Sequence, residues 1–124
     1  MSSGLPQGRL RRVMAYIDDN LQQHLRLAEL AALTHMSPYH FARLFRRAAG
    51  MPPHRFVLHR RIDAATALLI TSTSSIGSIA RAVGFSTPSQ LTTTFRRLTG
   101  VTPSAYRAAR AHGESEVRDS SAST

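Results

Sequence analysis

Residues 37–56 and 87–106 of this chain are two copies of one pattern, and a pattern used twice confines the fold to one that builds the same small unit twice. The first copy runs Ser37-Pro38, Phe41, Phe45-Arg46-Arg47, Gly50, Pro53 and Phe56. The second runs Thr87-Pro88, Leu91, Phe95-Arg96-Arg97, Gly100, Pro103 and Tyr106, each fifty residues on. Ahead of each lies a short helical signature, Leu27, Leu30 and Ala31 in one, Ile76, Ile79 and Ala80 in the other, and these are forty-nine apart. The second copy has therefore gained one residue, most simply Ser86 in its turn. Helix, short turn, helix is the unit that these spacings describe.

The pattern is helical nearly throughout, with no convincing strand. Leu10, Val13, Met14, Ile17 and Leu21 predict an amphipathic helix over 9–22, and Leu27, Leu30, Ala31 and Leu33 a second, short one. His35-Met36 is the turn. Ser37 supplies a capping oxygen and Pro38 a pre-set first helical residue for a third helix, which runs to Gly50 with Phe41, Leu44, Phe45 and Ala48 on its buried face. A long helix follows over about 53–72, lined on one side by Phe56, Val57, Ile62, Ala65, Leu68 and Leu69, with Arg55, Arg60 and Arg61 as basic outliers. The polar run 71–75 reads as a turn with a cap. Ile76, Ile79, Ala80 and Val83 then form a fifth helix and Gly84-Phe85-Ser86 its turn. The sixth helix starts at Thr87-Pro88 and buries Leu91, Phe95 and Leu98. Thr102-Pro103 opens a seventh, through Tyr106 to about Arg110.

The expected architecture is all-α: a first helix–turn–helix unit over about 9–50, a linker helix over about 53–72 and a second unit over about 76–110. Residues 1–8 are expected to be a flexible lead, and the Ser-, Gly- and acid-rich 111–124 a disordered tail. Ala31 and Ala80 suit a close helix crossing, and Gly84 the positive φ that such turns require. His35 occupies Gly84's place in the first copy and is a departure, since few side chains tolerate that region.

Charge narrows the partner. The net charge is +9, all sixteen basic residues are Arg, and fifteen of them stand against four acids in residues 1–110. A basic body of this kind favours a polyanion: DNA, RNA or an anionic membrane surface. The absence of Cys excludes disulfides and thiolate metal sites and fits a reducing compartment. No apolar run approaches the roughly eighteen residues of a membrane span, and Met1 to Gly8 lacks the apolar core of a secretory signal. A cytoplasmic location is the expectation.

These residues together resemble the DNA-binding domain of the AraC/XylS family of bacterial transcription regulators, over residues 9–110. The resemblance rests on Leu30-Ala31, Met36-Ser37-Pro38, Phe41, Arg43 and Phe45, then Arg61-Ile62, Ala65 and Leu68-Leu69. It continues through Ile79-Ala80, Val83-Gly84-Phe85, Phe95, Gly100, Thr102-Pro103 and Tyr106-Arg107. It implies seven helices and double-stranded DNA as partner; no cofactor is expected. In that arrangement the second helix of each unit enters a major groove on one face of the duplex. A linker helix of roughly 28 Å, at ~1.5 Å per residue, is compatible with grooves that recur about every 34 Å. A tandem repeat, as opposed to a two-fold pair, predicts an asymmetric site. Family habit further implies activation through RNA polymerase. Many members also carry a sensing or dimerisation domain, which here would be separate or part of a longer chain.

On the first recognition helix Tyr39, His40 and Arg43 stand off the buried stripe. Arg43 is the strongest base reader, because Arg pairs bidentately with guanine O6 and N7. Tyr39, Ala42 and Arg43 also coincide with family contact positions, Ala42 offering only apolar contact to a thymine methyl. The matching stretch of the second helix holds Ser89, Gln90, Thr92 and Thr93. Gln can read adenine, whereas Ser and Thr discriminate weakly. The family often has Arg where Thr93 stands, so the second set is the weaker reader. Arg46, Arg47, Arg96 and Arg97, with the helix starts capped by Ser37 and Thr87, are expected at phosphates.

Other readings fare less well. His35/His40 and His54/His59 are five apart, off the i,i+4 spacing of a helical zinc pair, so no metal is expected. Phe41, Phe45, Phe85 and Phe95 sit at core spacing, unlike a single-strand stacking platform. No catalytic constellation emerges, and the chain does not read as an enzyme. The alternative is a basic helical protein-interaction module with weak or lost sequence-specific DNA binding, which the weak second recognition helix keeps open.

Overall fold

The computed structural model describes residues 6–111, and among them all regular structure is helical. The helices are α1 (Gln7–Asp19), α2 (Leu27–Ala32), α3 (Pro38–Ala49), α4 (Pro53–Thr71), α5 (Ile76–Ala82), α6 (Pro88–Thr99) and α7 (residues 103–111). They form two compact units whose boundary falls between Arg61 and Ile62, inside α4. The first half of the expected linker helix thus belongs to one unit and the second half to the other. None of the helices among the described residues is long and apolar enough to cross a membrane.

In unit 1 the core is Val13, Ile17, Leu30, Ala31, Phe41, Phe45 and Val57. Three aromatic rings run through it: Phe41 and Phe45 have centroids 5.6 Å apart, and Phe56 meets Phe45 edge-on at 5.4 Å. Such pairs add about 0.5–1.5 kcal/mol each beyond their buried area. α1 starts two residues earlier than its apolar pattern, because the Leu10 N–H reaches the Pro6 carbonyl at 3.0 Å. It also ends before Leu21. Asn20 leaves the helical conformation with its side-chain amide donating to the Tyr16 carbonyl, and Leu21 packs on the core from the turn. Ala48, expected inside, is exposed. The buried stripe of α3 steps by four from Phe41 to Phe45, and the next such step is Ala49, which packs against the core in its place.

Unit 2 repeats the plan, with Ile62, Ala65, Leu69, Ile79, Ala80, Val83, Phe85, Leu91 and Phe95 buried. Tyr106 on α7 meets Phe95 edge-on at 5.7 Å. Of the residues expected to be flexible, Gln7, Gly8 and Ala111 are helical; residues 1–5 and 112–124 lie outside the described residues.

The two helix–turn–helix turns share one hydrogen-bond pattern. In the first, Met36 donates to the Ala31 carbonyl and His35 to that of Ala32; in the second, Phe85 donates to Ala80 and Gly84 to Arg81. This is the Schellman closure, which needs a left-handed residue at its penultimate position. Gly84 takes it with φ +102°, and His35 takes it with φ +58°. Thr34, the one buried polar residue of this turn, sits where Val83 stands in the second copy and donates its hydroxyl to the Ala31 carbonyl at 2.8 Å.

Two arginines hold the units from inside. Arg61 Nε and Nη2 donate to the Leu21 and Gln23 carbonyls, at 3.2 and 2.9 Å, and so fix the segment between α1 and α2. Arg107 donates to the carbonyls of Leu69, Ser72 and Ser74 at the end of α4 and beyond it. Both satisfy carbonyl groups that a helix end or turn leaves unpaired. Arg60 lies 4.8 Å from the Phe56 ring centroid and 3.4 Å from Asp18, a half-exposed ion pair of little weight.

The left-handed turn yields a stability prediction. The exposed His35 carries a Cβ where the backbone disfavours one, by about 1 kcal/mol. His35→Gly should raise stability in urea denaturation by about 0.5–1 kcal/mol, whereas Gly84→Ala should lower it by about 1–2 kcal/mol.

Candidate nucleic-acid interface

The two second helices of the motifs, α3 and α6, are built alike. Each begins with a hydroxyl accepting from the N–H three residues on: His40 to Ser37 Oγ at 3.2 Å, Gln90 to Thr87 Oγ1 at 3.1 Å. Proline follows at the first helical position, and a left-handed glycine, Gly50 or Gly100, ends each helix. Two fully buried side chains one turn apart, Phe41 and Phe45 or Leu91 and Phe95, fix the rotation of each helix about its axis. What faces outward is thereby decided.

On α3 that face carries Tyr39, His40, Arg43, Arg46 and Arg47, all exposed, with Tyr39 at 78% the most exposed large apolar group among the described residues. A surface groove of about 570 Å³ is lined by Tyr39, Ala42, Arg43, Arg46, Arg47 and Pro52. The structure therefore brings three of the expected base readers together with two of the expected phosphate contacts. Pro52, which had no sequence signal for such a place, closes the groove, and His40 stands outside it. α3 contains three Arg and no acid, so nothing on the helix offsets its positive field. Arg46 and Arg47 also sit in its last turn, where the helix dipole favours cations.

The α3 start offers one further group. Pro38 has no N–H, that of His40 goes to Ser37 Oγ, and that of Phe41 to the Ser37 carbonyl. Helix geometry leaves the Tyr39 N–H for an outside acceptor, and the Ser89 N–H in α6 stands in the same position.

On α6, Ser89, Gln90, Thr93, Arg96 and Arg97 are exposed and Thr92 is half-buried. Gln90 also has a local partner that its residue type did not reveal. Its Oε1 accepts the Ser86 N–H at 2.9 Å, closing the helix start in the manner of a capping box. Bidentate adenine reading needs that same oxygen as an acceptor beside the amide donor. Ser86 is the extra residue of the second copy, and Gln90 satisfies the extra N–H that it brings. Gln90 is thus held by the turn before it meets any base. Arg61 and Arg107 are half-buried against carbonyls, unlike the exposed arginines of α3 and α6, and burial lowers the Arg61 pKa from its ordinary value.

Two motifs with outward helices carrying arginines and no acids define a helix–turn–helix DNA-binding domain. A family model described as a helix-turn-helix domain matches residues 30–109. The DNA-binding domain of the global transcriptional factor AdpA, solved in complex with a target DNA, is 37% identical with a TM-score of 0.79, over 84% of this chain and 95% of that one. An AraC-type transcriptional regulator from Chromobacterium violaceum is 30% identical with a TM-score of 0.79, over 85% and 94%. The regulatory protein PocR of Salmonella typhimurium is 39% identical over 80% of this chain and 33% of its own length. The chain belongs to the AraC-type family of DNA-binding transcription regulators. It spans 33% to 45% of the length of PocR and the next curated relatives.

The local bond of Gln90 is measurable. Gln90→Ala should cost about 0.5–1.5 kcal/mol in chemical denaturation, and Gln90→Glu, which keeps an acceptor, should not. A Gln90→Ala protein of unchanged stability would return the side chain to base reading.

Proposed function

We propose that this chain binds double-stranded DNA sequence-specifically, through α3 and α6 in successive major-groove segments of an asymmetric site. It acts by binding alone, without a catalytic step or a cofactor, in the bacterial cytoplasm where the duplex lies. The observation that carries this reading is the α3 groove, where Tyr39, Ala42 and Arg43 stand beside Arg46 and Arg47 on a helix without acids. AdpA, whose DNA-binding domain is similar, was solved on a target DNA, which supports the same partner here.

Within this reading the two helices divide the work. Arg43 makes the principal base contact, with Tyr39 and Ala42 beside it and His40 at the edge. On α6, Ser89, Thr92 and Thr93 contribute weak discrimination, and Gln90 presents chiefly its amide donor. Arg46, Arg47, Arg96 and Arg97 meet phosphates, along with the Tyr39 and Ser89 N–H groups at the starts capped by Ser37 and Thr87. Activation through contact with RNA polymerase, and a sensing or dimerisation domain elsewhere, complete the proposal.

Selection on randomised duplex DNA at the ~0.15 M ionic strength of the cell tests it. The expected consensus is two unequal blocks about one helical turn, ~10 bp, apart, the stronger containing guanine. A strict inverted repeat, or no enrichment, would overturn it, the latter in favour of a protein-interaction module. Arg43→Ala should lose about 1–3 kcal/mol and its preference at one position. If about six phosphate contacts form, affinity should fall about a thousandfold between 50 and 200 mM salt; Arg96→Ala should flatten that slope by about one while leaving the consensus intact.

A further inference from the structure

Unit 1 holds a second cavity, of about 340 Å³, which the DNA reading does not use. That volume lies within the roughly 300–1,000 Å³ of small-molecule sites, which are mostly apolar with a few polar groups. The wall is largely aliphatic, from Leu25, Leu27 and Leu30 on one side to Val57 and Leu58 of α4 on the other. Leu27 opens α2 yet remains 40% exposed. The polar lining consists of His24, His54 and Arg61, with no acid among the lining residues.

The charge of this cavity is one-sided. Arg61 gives Nε and Nη2 to two backbone carbonyls, whose dipoles hold the guanidinium in place but do not neutralise it. Among the described residues it has no acidic partner, and burial works against its charged form. The start of α4 adds to the same field: Pro52, Pro53 and His54 line the cavity, and the first turn of this 19-residue helix contains no acid. A half-buried cation and a helix start beside leucines complement a ligand with an apolar body and a single negative head.

We propose that this cavity binds a small amphiphilic acid, its hydrocarbon or aromatic body against the leucines and its carboxylate at Arg61 and the α4 start. The site does not depend on the DNA reading. It does share a wall with it, because Ala42 of α3 lines both the cavity and the groove.

The test is an amide-NMR titration of the chain with 2-naphthoate and, in parallel, with uncharged 2-naphthylmethanol. The expected result is saturable shifts at His24, Leu27, Ala42, His54 and Leu58, with the acid binding about tenfold more tightly than the alcohol. His54→Glu places a negative charge at an exposed position in the first turn of α4, where helices tolerate one. It should weaken the acid about tenfold and leave the alcohol unchanged. Equal affinity for the two probes, an unaffected His54→Glu protein, or shifts confined to the exposed arginines of α3 and α6 would overturn the proposal. The last outcome would mean nonspecific anion binding.

Discussion

Everything the outward faces can do depends on how two helices are pinned from behind. Phe41 and Phe45 on α3, and Leu91 and Phe95 on α6, have no solvent exposure at all. Two buried side chains one turn apart leave a helix no freedom to roll, since any roll would bring an aromatic or leucine side chain into water. Removing such a side chain typically costs about 3–5 kcal/mol for Phe and 2–5 for Leu. The positions of Arg43 and Thr93, relative to the cores beneath them, are therefore consequences of core packing. A reading surface has to be rigid in this way if bidentate geometry is to discriminate between bases.

Duplication makes the differences between the two copies informative. Within the motifs the buried positions correspond, Leu30, Ala31, Phe41 and Phe45 to Ile79, Ala80, Leu91 and Phe95, and the Schellman turns match, with Thr34 standing where Val83 does and its hydroxyl satisfied. Two of the differences between the copies lie in the turn. The first copy retains a histidine in the left-handed position of its turn, and the second has one more residue there. That extra residue draws Gln90 into a local bond, so a difference in turn length has become a difference in how an exposed side chain of α6 is held. With Thr in the place of Arg43 as well, α6 keeps two exposed arginines, Arg96 and Arg97, but offers fewer charged donors near its start than α3.

Much of this was legible in the sequence, for identifiable reasons. All seven helices follow from apolar spacing and from the Ser-Pro and Thr-Pro starts, since those signals are local. The misjudged ends of α1 and the side of Ala48 were set by hydrogen bonds at Pro6 and Asn20 and by the direction of the α3 stripe, each a matter of one residue's rotation. The exposure of Tyr39, Arg43, Ser89 and Thr93 followed from the repeat. The bond between Gln90 and Ser86 did not, because the residue type fits a base and a capping box equally well. Pro52 in the groove was likewise invisible, because it reaches α3 only through the fold.

Charge was the feature most easily over-read. With sixteen arginines and no lysine, every basic position looks like a candidate for DNA. The structure separates two populations that composition cannot. Arg43, Arg46, Arg96 and Arg97 are exposed on helices free of acids. Arg61 and Arg107 instead turn inward onto five carbonyls at helix ends and turns, where a planar guanidinium presents a rigid fork of N–H donors to oxygens on different residues. Their charge is structural in origin, yet it does not vanish. Arg61 contributes an unneutralised cation to an apolar cavity beside α3, so the residue that holds unit 1 together also gives it a place for an anion that is not DNA.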